Sequence, residues 1–168
     1  MQRCFIRPAE PTDRSVLIDL KTAYVRSLYT GYIPAERLKE LDPTPYESRI
    51  TDFLAGENRQ ILLCMVDGEP RGYLAIGEDP DHEDSGLIFD VATHPLAPEG
   101  VRDALIVHAA ELLAAQGKSR IHVWVLRDNF QARFRFERFN FKLEGTLRPY
   151  QVEGRDAQLI RYVYRIAR

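Results

Sequence analysis

Along this chain the spacing of apolar residues shifts between two periods, and each shift marks an element. Ile121, Val123 and Val125 fall on one face of an extended segment, and His122, Trp124 and Leu126 on the other. Apolar residues on both faces predict a strand covered on both sides. Asp128 then reads as a helix N-cap with Gln131 completing a capping-box variant, and Asn140 takes the left-handed position that ends the helix. Upstream, Leu17, Leu20, Tyr24 and Leu28 recur at helical spacing behind a cap at Thr12 or Asp13. Thr44-Pro45-Tyr46-Glu47 reads as a capping box opening a helix that turns Tyr46, Ile50, Phe53 and Leu54 inward. A short helix is expected around Ala35 to Leu41, and a short strand over Cys4 to Arg7.

The two runs Gln60 to Val66 and Arg71 to Ile76 flank Asp67-Gly68, the turn chemistry of a β-hairpin. Glu78 to Asp84 reads as a solvated acidic loop before a strand from Leu87 to Thr93. A long Ala- and Leu-rich helix is expected from about Gly100 to Gln116, stopped by Gly117. Two strands, Phe141 to Leu147 and Leu159 to Ile166, close the chain through a connection from Pro149 to Asp156. The predicted order is β-α-α-α-β-β-β-α-β-α-β-β, a mixed α/β chain read as one domain over 1–168.

Composition narrows the classes. A hydrophobic share of 45%, a charged share of 29% and a net charge of −2 describe a globular chain with no pull toward nucleic acid or an anionic membrane. Nineteen of the 23 basic residues are Arg, and Arg127, Arg133, Arg135 and Arg138 gather near one helix. They read as a solvated face, or alternatively as a basic rim for an anionic cofactor. Cys4 and Cys64 sit among strand-like apolar neighbours and read as small core residues rather than a disulfide or metal pair. His82, His94, His108 and His122 show no ligand spacing, so no metal is expected. With neither a secretory segment nor a membrane-length apolar run, the reading is a cytoplasmic protein.

Four local features occur in order. They are Tyr29-x-Gly-x-Ile-Pro-x-Glu36, the Asp-Gly hairpin followed by Arg71-Gly72-Tyr73, the strand ending at His94-Pro95, and Asp128-Asn129-x-x-Ala132 ending in Asn140-Phe141. Together they resemble the GNAT superfamily of N-acetyltransferases over nearly the whole chain. The resemblance implies a mostly antiparallel central sheet flanked by helices. It also implies an acyltransferase that moves an acetyl group from acetyl-CoA to an amine by direct attack in a ternary complex. The alternative is a GNAT-like domain without catalysis that serves as a binding or scaffold module. A third reading is an enzyme using another acyl donor. The implied partner is a small-molecule or peptide amine, and a homodimer is compatible with the fold.

The resemblance also assigns residues. The backbone of Val91, Ala92 and Thr93 would pair with the pantetheine arm and polarise the thioester carbonyl. Gly100, Val101 and Arg102 would seat the pyrophosphate at a helix N-terminus. Of the family pattern Gln/Arg-x-x-Gly-x-Gly/Ala, the stretch Ala97 to Arg102 keeps only Gly100. Pro98 removes a donor, and Glu99 and Asp103 bring negative charge, so the loop reads either as an ordinarily capped helix or as a seat completed by the Arg102 guanidinium. Asn129 matches a residue that contacts the CoA arm, and Phe136 replaces the tyrosine that in many members protonates the leaving thiolate. Asp90 stands in an apolar strand, as a general base of raised pKa or as a carboxylate paired to an arginine, and Glu83 is a second candidate base. Tyr29, Tyr32 and Tyr150 border the implied acceptor pocket.

Overall fold

The computed structural model describes residues 3–30, 34–39, 43–152 and 155–167. Strand β1 (Cys4–Pro8) leads through a 3-10 turn (Pro11–Asp13) into α1 (Arg14–Tyr29), α2 (Ala35–Lys39) and α3 (Thr44–Ala55). Next come β2 (Arg59–Val66), β3 (Glu69–Asp79) and β4 (His82–Thr93), then α4 (Val101–Ala115), β5 (Arg120–Leu126), α5 (Phe130–Arg138), β6 (Lys142–Val152) and β7 (Arg155–Arg165). Apart from the added 3-10 turn, this is the order the hydrophobic periods predict. The seven strands form one sheet in the order β1-β2-β3-β4-β5-β7-β6. The pairs β1/β2, β5/β7 and β6/β7 are antiparallel, and β4 runs parallel to β5.

Several boundaries differ from expectation for local reasons. Asp79 remains in β3 and His82 opens β4, so the acidic segment read as a solvated loop is mostly strand around a tight turn. Pro149 and Tyr150 lie within β6, and Asp156 within β7, so the expected long connection is itself paired strand. At α5 the cap is Asn129, whose Oδ1 accepts from the Ala132 amide at 3.2 Å, one residue after the predicted Asp128. No side-chain cap forms at α3, where Pro43 takes the N-cap place ahead of Thr44. The predicted left-handed positions do form: Asp67 and Gly68 at φ 52 and 82, Gly117 at φ 81 and Asn140 at φ 67.

The chain divides into two compact units. The first comprises Met1–Ile76 and Asp90–Ala109. Its core is built from Leu17, Leu20 and Val25 of α1, Ile50 and Phe53 of α3, Leu62 and Leu63 of β2, Leu74 of β3, and Leu105 of α4. Consecutive residues Ile61 to Cys64 are all buried, so β2 is covered on both faces. The second unit comprises Gly77–Phe89 and Ala110–Arg168. There Ile121, Val123 and Val125 of β5 are buried with Phe136, Phe141, Ile160 and Tyr162, and Phe136 meets Phe141 edge-on at 5.1 Å between centroids.

Candidate active site

In the first unit, the end of β4 runs through a short loop into α4. The parallel register joins Ser85–Ile88 to Arg120–Val123 and goes no further, although β4 continues to Thr93. The last four residues of β4, Asp90 to Thr93, lie beyond that register. Ala92 is fully buried, and Val91 and Thr93 are half-buried. Close packing holds this stretch: a Cβ on Gly72 would lie 3.0 Å from Val101 Cγ1 and 3.2 Å from the Ala92 carbonyl. Gly100 turns the chain at φ 93, a conformation that strains any residue with a Cβ, and α4 begins at once. The Val101 amide reaches the Pro98 carbonyl at 3.4 Å and the Ala104 amide the Gly100 carbonyl at 2.9 Å. By helix geometry the Arg102 and Asp103 amides have no intrahelical acceptor. The Glu99 and Asp103 side chains are exposed.

Arg102 is buried and points to α1. Its Nη2 donates to the Tyr24 hydroxyl at 3.3 Å, its guanidinium lies 5.9 Å from the centre of that ring, and its Nε has no hydrogen-bond partner. Asp90 is tied down more firmly. Lys21 Nζ donates to Oδ1 at 2.7 Å, the Tyr73 hydroxyl to Oδ2 at 2.7 Å, and the Val91 amide to Oδ1 at 3.0 Å. Burial pushes the Asp90 carboxyl up, but the Lys21 charge and the bonds from Lys21 and Tyr73 outweigh it and hold it below its ordinary value. The raised pKa expected of Asp90 as a base is absent, and the ion-pair alternative is what forms, with a lysine in place of an arginine. Burial, then the Asp90 charge, pushes the Tyr73 phenol well above its ordinary value, so Tyr73 stays a donor. Lys21 Nζ also stands 5.7 Å from the Tyr24 ring centre and 5.8 Å from that of Tyr46.

In the second unit, Asn129 spends its side-chain oxygen on capping α5, and Phe136 is a core ring. Glu83 is exposed, and its carbonyl accepts from Lys118 Nζ at 2.8 Å. Tyr150 is exposed and helps line an open cleft of about 770 Å³ with Arg127, Asp128, Asp156 and Gln158. Tyr29 ends α1, and Tyr32 lies outside the described residues.

The same unit gathers residues that the sequence leaves apart. The side chains of Asp79, His82 and His122 offer donor atoms within 4.8 Å of one another, although their spacing along the chain suggests no ligand set. His122 Nδ1 meets Asp79 Oδ2 at 2.5 Å with both groups buried. Arg161 Nη1 lies 2.9 Å from His82 Nε2, and a guanidinium only donates, so that lone pair is occupied. Asp79 is engaged as well, so hydrogen bonds hold these side chains in a polar cluster that is buried at Asp79 and His122 and half-buried at His82. His122 Nε2 is left without a partner.

Residues 23–141 match the model of the acetyltransferase (GNAT) family. The chain belongs to the GNAT family. No curated protein sequence matches it. Solved structures share the fold at low identity. The ribosomal-protein-S18-alanine N-acetyltransferase of Escherichia coli superposes with a TM-score of 0.72 at 17% identity, over 99% of this chain and 96% of that one. PaiA N-acetyltransferase of Thermoplasma acidophilum, in complex with coenzyme A, gives 0.69 at 17% identity, over 96% and 99%. The yncA protein of Salmonella typhimurium, solved with its cofactor acetyl-CoA, gives 0.69 at 17% identity, over 99% and 95%.

Within this GNAT chain, the first unit holds Asp90 to Thr93 and Gly100 to Arg102, and the second holds Glu83, Asn129, Phe136 and Tyr150. Sequence reasoning missed Lys21, Tyr73 and Asp79. Lys21 lies one helical turn before Val25, and Tyr73 sits in a run of consecutively buried β3 residues, so local pattern marks both as ordinary. An isolated carboxylate in an apolar strand was the available signal that Asp90 needed partners.

Proposed function

We propose that this chain transfers the acetyl group of acetyl-CoA to an amine by direct attack in a ternary complex. The observation that carries the reading is the end of β4, Asp90 to Thr93, which lies beyond the register that joins Ser85–Ile88 to β5 and runs into a glycine-started helix. Strand backbone beyond that register suits an extended pantetheine arm as an added strand. The Ala92 or Thr93 amide then donates to the thioester oxygen as negative charge develops there, the Val91 amide being spent on Asp90 Oδ1. The first amides of α4 and the positive end of its dipole suit the pyrophosphate, with Arg102 adding charge after leaving Tyr24. Family membership and the acetyl-CoA and coenzyme A named in two fold relatives support the donor.

The attacking nitrogen must be neutral. Asp90, committed to Lys21 and Tyr73, acts as a positioning residue on the strand that carries the oxyanion donor. Glu83 stands at the opposite end of β4 from Val91 to Thr93, at about 3.3 Å of strand per residue far beyond hydrogen-bond reach of them, so the proton of the amine passes to solvent. No acid need reside at Phe136, because a thiol of pKa about 8.5 leaves as thiolate near neutral pH. The acceptor is an amine.

The test is steady-state release of coenzyme A thiol across a panel of amines, with both substrates varied. Intersecting double-reciprocal lines are expected. Parallel lines would point to a covalent acetyl-enzyme. Binding of acetyl-CoA with no turnover on any amine would favour the scaffold reading. Arg102→Ala is expected to weaken acetyl-CoA binding about tenfold, the worth of one charge-assisted contact. Unchanged affinity would remove Arg102 from the phosphate seat.

A further inference from the structure

The first unit holds a pair of thiols that the transfer reaction does not use. In the β1/β2 register Cys4 faces Val66 and Ile6 faces Cys64. Residues two apart on a strand share a face, so Cys4 and Cys64 are diagonal neighbours on one side of the ribbon. Their Sγ atoms lie 3.1 Å apart. A disulfide bond is about 2.05 Å long, so an approach of about 1 Å closes it.

The two sulphurs are not equivalent. Cys64 is fully buried, while Cys4 is exposed on the edge strand of the sheet. Burial, and then the neighbouring Cys4 thiol, pushes the Cys64 thiol up to about 12. Cys64 therefore does not react by itself with reagents in solution, and Cys4 is the point of entry. The expectation that both cysteines are small core residues holds for Cys64 and fails for Cys4.

We propose that Cys4 and Cys64 form a thiol–disulfide modification site that takes a small disulfide, such as oxidised glutathione, as its co-reactant. In the first step Cys4 Sγ gives up its proton and attacks one sulphur of the small disulfide. A mixed disulfide forms on Cys4, and one glutathione leaves as thiolate and takes that proton. In the second step Cys64 Sγ loses its proton to solvent and attacks Cys4 Sγ, and the second glutathione leaves and is protonated. Two protein thiols are oxidised to one disulfide while one small disulfide is reduced to two thiols. The second step is intramolecular, and the 3.1 Å contact offsets the scarcity of Cys64 thiolate. Excess small thiol reverses both steps.

The product staples the edge strand to β2 and closes a loop spanning 60 positions of chain that contains α1, α2 and α3. Closing a loop of that length is expected to raise the melting temperature by on the order of 10 °C.

The experiment treats the reduced full-length chain with oxidised glutathione and follows intact mass, free thiols and linked peptides. The expected product is a monomer lighter by two hydrogens, with both thiols lost, one Cys4–Cys64 cross-linked peptide, and a higher melting temperature that dithiothreitol reverses. Cys64→Ala should stop at a stable glutathione adduct on Cys4, and Cys4→Ser, a surface change, should leave Cys64 unmodified. The proposal is overturned if the wild-type chain keeps glutathione on Cys4, joins a second chain through Cys4, or retains both thiols. Modification of Cys64 in folded Cys4→Ser would equally overturn it.

Discussion

The chemistry of single side chains here is decided by what they are bonded to. Asp90 is the clearest case, because a carboxylate among apolar neighbours is either costly or paired, and Lys21 with Tyr73 pairs it. Asp90→Asn is expected to lower stability by about 1–3 kcal/mol at neutral pH, because Lys21 is left without its counter-charge. The pH dependence follows from the direction of the shift. The folded carboxyl titrates below its unfolded value, so its contribution is present above the ordinary carboxylate pKa and is lost as pH falls through the lower folded one. The stability difference between wild type and Asp90→Asn should therefore be flat from pH 7 to about 5 and shrink below about 4. Urea unfolding of both proteins across that range measures it, and a difference that grew on acidification would contradict the pairing. Phe136 makes the opposite point. It is core, packed edge-on to Phe141, so Phe136→Tyr buries a hydroxyl at a cost of about 1–3 kcal/mol. Its kcat is expected to match wild type, and a marked gain in rate would show that a missing acid limits turnover.

Elements were read from the sequence more securely than their ends. The long helix α4 announces itself by its Ala and Leu content and the strand β5 by its apolar faces, and Gly117 and Asn140 end their helices at the left-handed positions such residues favour. What failed were features whose partners lie far along the chain. Asp79 looks like loop because its acidic neighbours do, yet it is buried by a hydrogen bond to His122, 43 positions later. The β6/β7 ribbon extends past Leu147 because Pro149 and Tyr150 pair with Gln158 and Ala157, a register no local pattern reveals. Gly72 enters the sequence reading only as part of Arg71-Gly72-Tyr73, and the structure shows that it admits α4 and the Ala92 carbonyl to close range. Gly72→Ala is therefore expected to cost about 1–3 kcal/mol, the usual penalty for overfilling a packed site. Because the displaced groups belong to Ala92 and Val101, its acetyl-CoA affinity should fall as well. Thermal melts with and without acetyl-CoA test both, and a variant unchanged in each would mean that the contact relaxes freely.

At the scale of the whole molecule, the question is whether a GNAT chain with a divergent phosphate loop still binds the family's donor. Its formal charge is −2, so no general field attracts a polyanion, and binding must come from local groups. In the proposed site those groups are the end of β4, the first amides of α4 and Arg102, while Glu99 and Asp103 oppose them from exposed positions where water and salt screen their charge. Screening weakens the repulsion of these exposed carboxylates more than it weakens the backbone donors of the proposed site. A ligand that binds only the folded state stabilises it by mass action, by about 2.7 kcal/mol at one hundred times its dissociation constant. For a chain of this size that is a rise of about 5–10 °C in melting temperature. The same screening predicts that moderate salt costs this protein little affinity, because it damps the two carboxylates along with the attraction. Glu99→Gln, which removes one opposing charge while keeping the loop's shape, should tighten acetyl-CoA binding, and more so at low salt. Melts across donor concentration, salt and this variant separate the terms. No shift at millimolar acetyl-CoA in either protein would leave the fold standing and remove the donor.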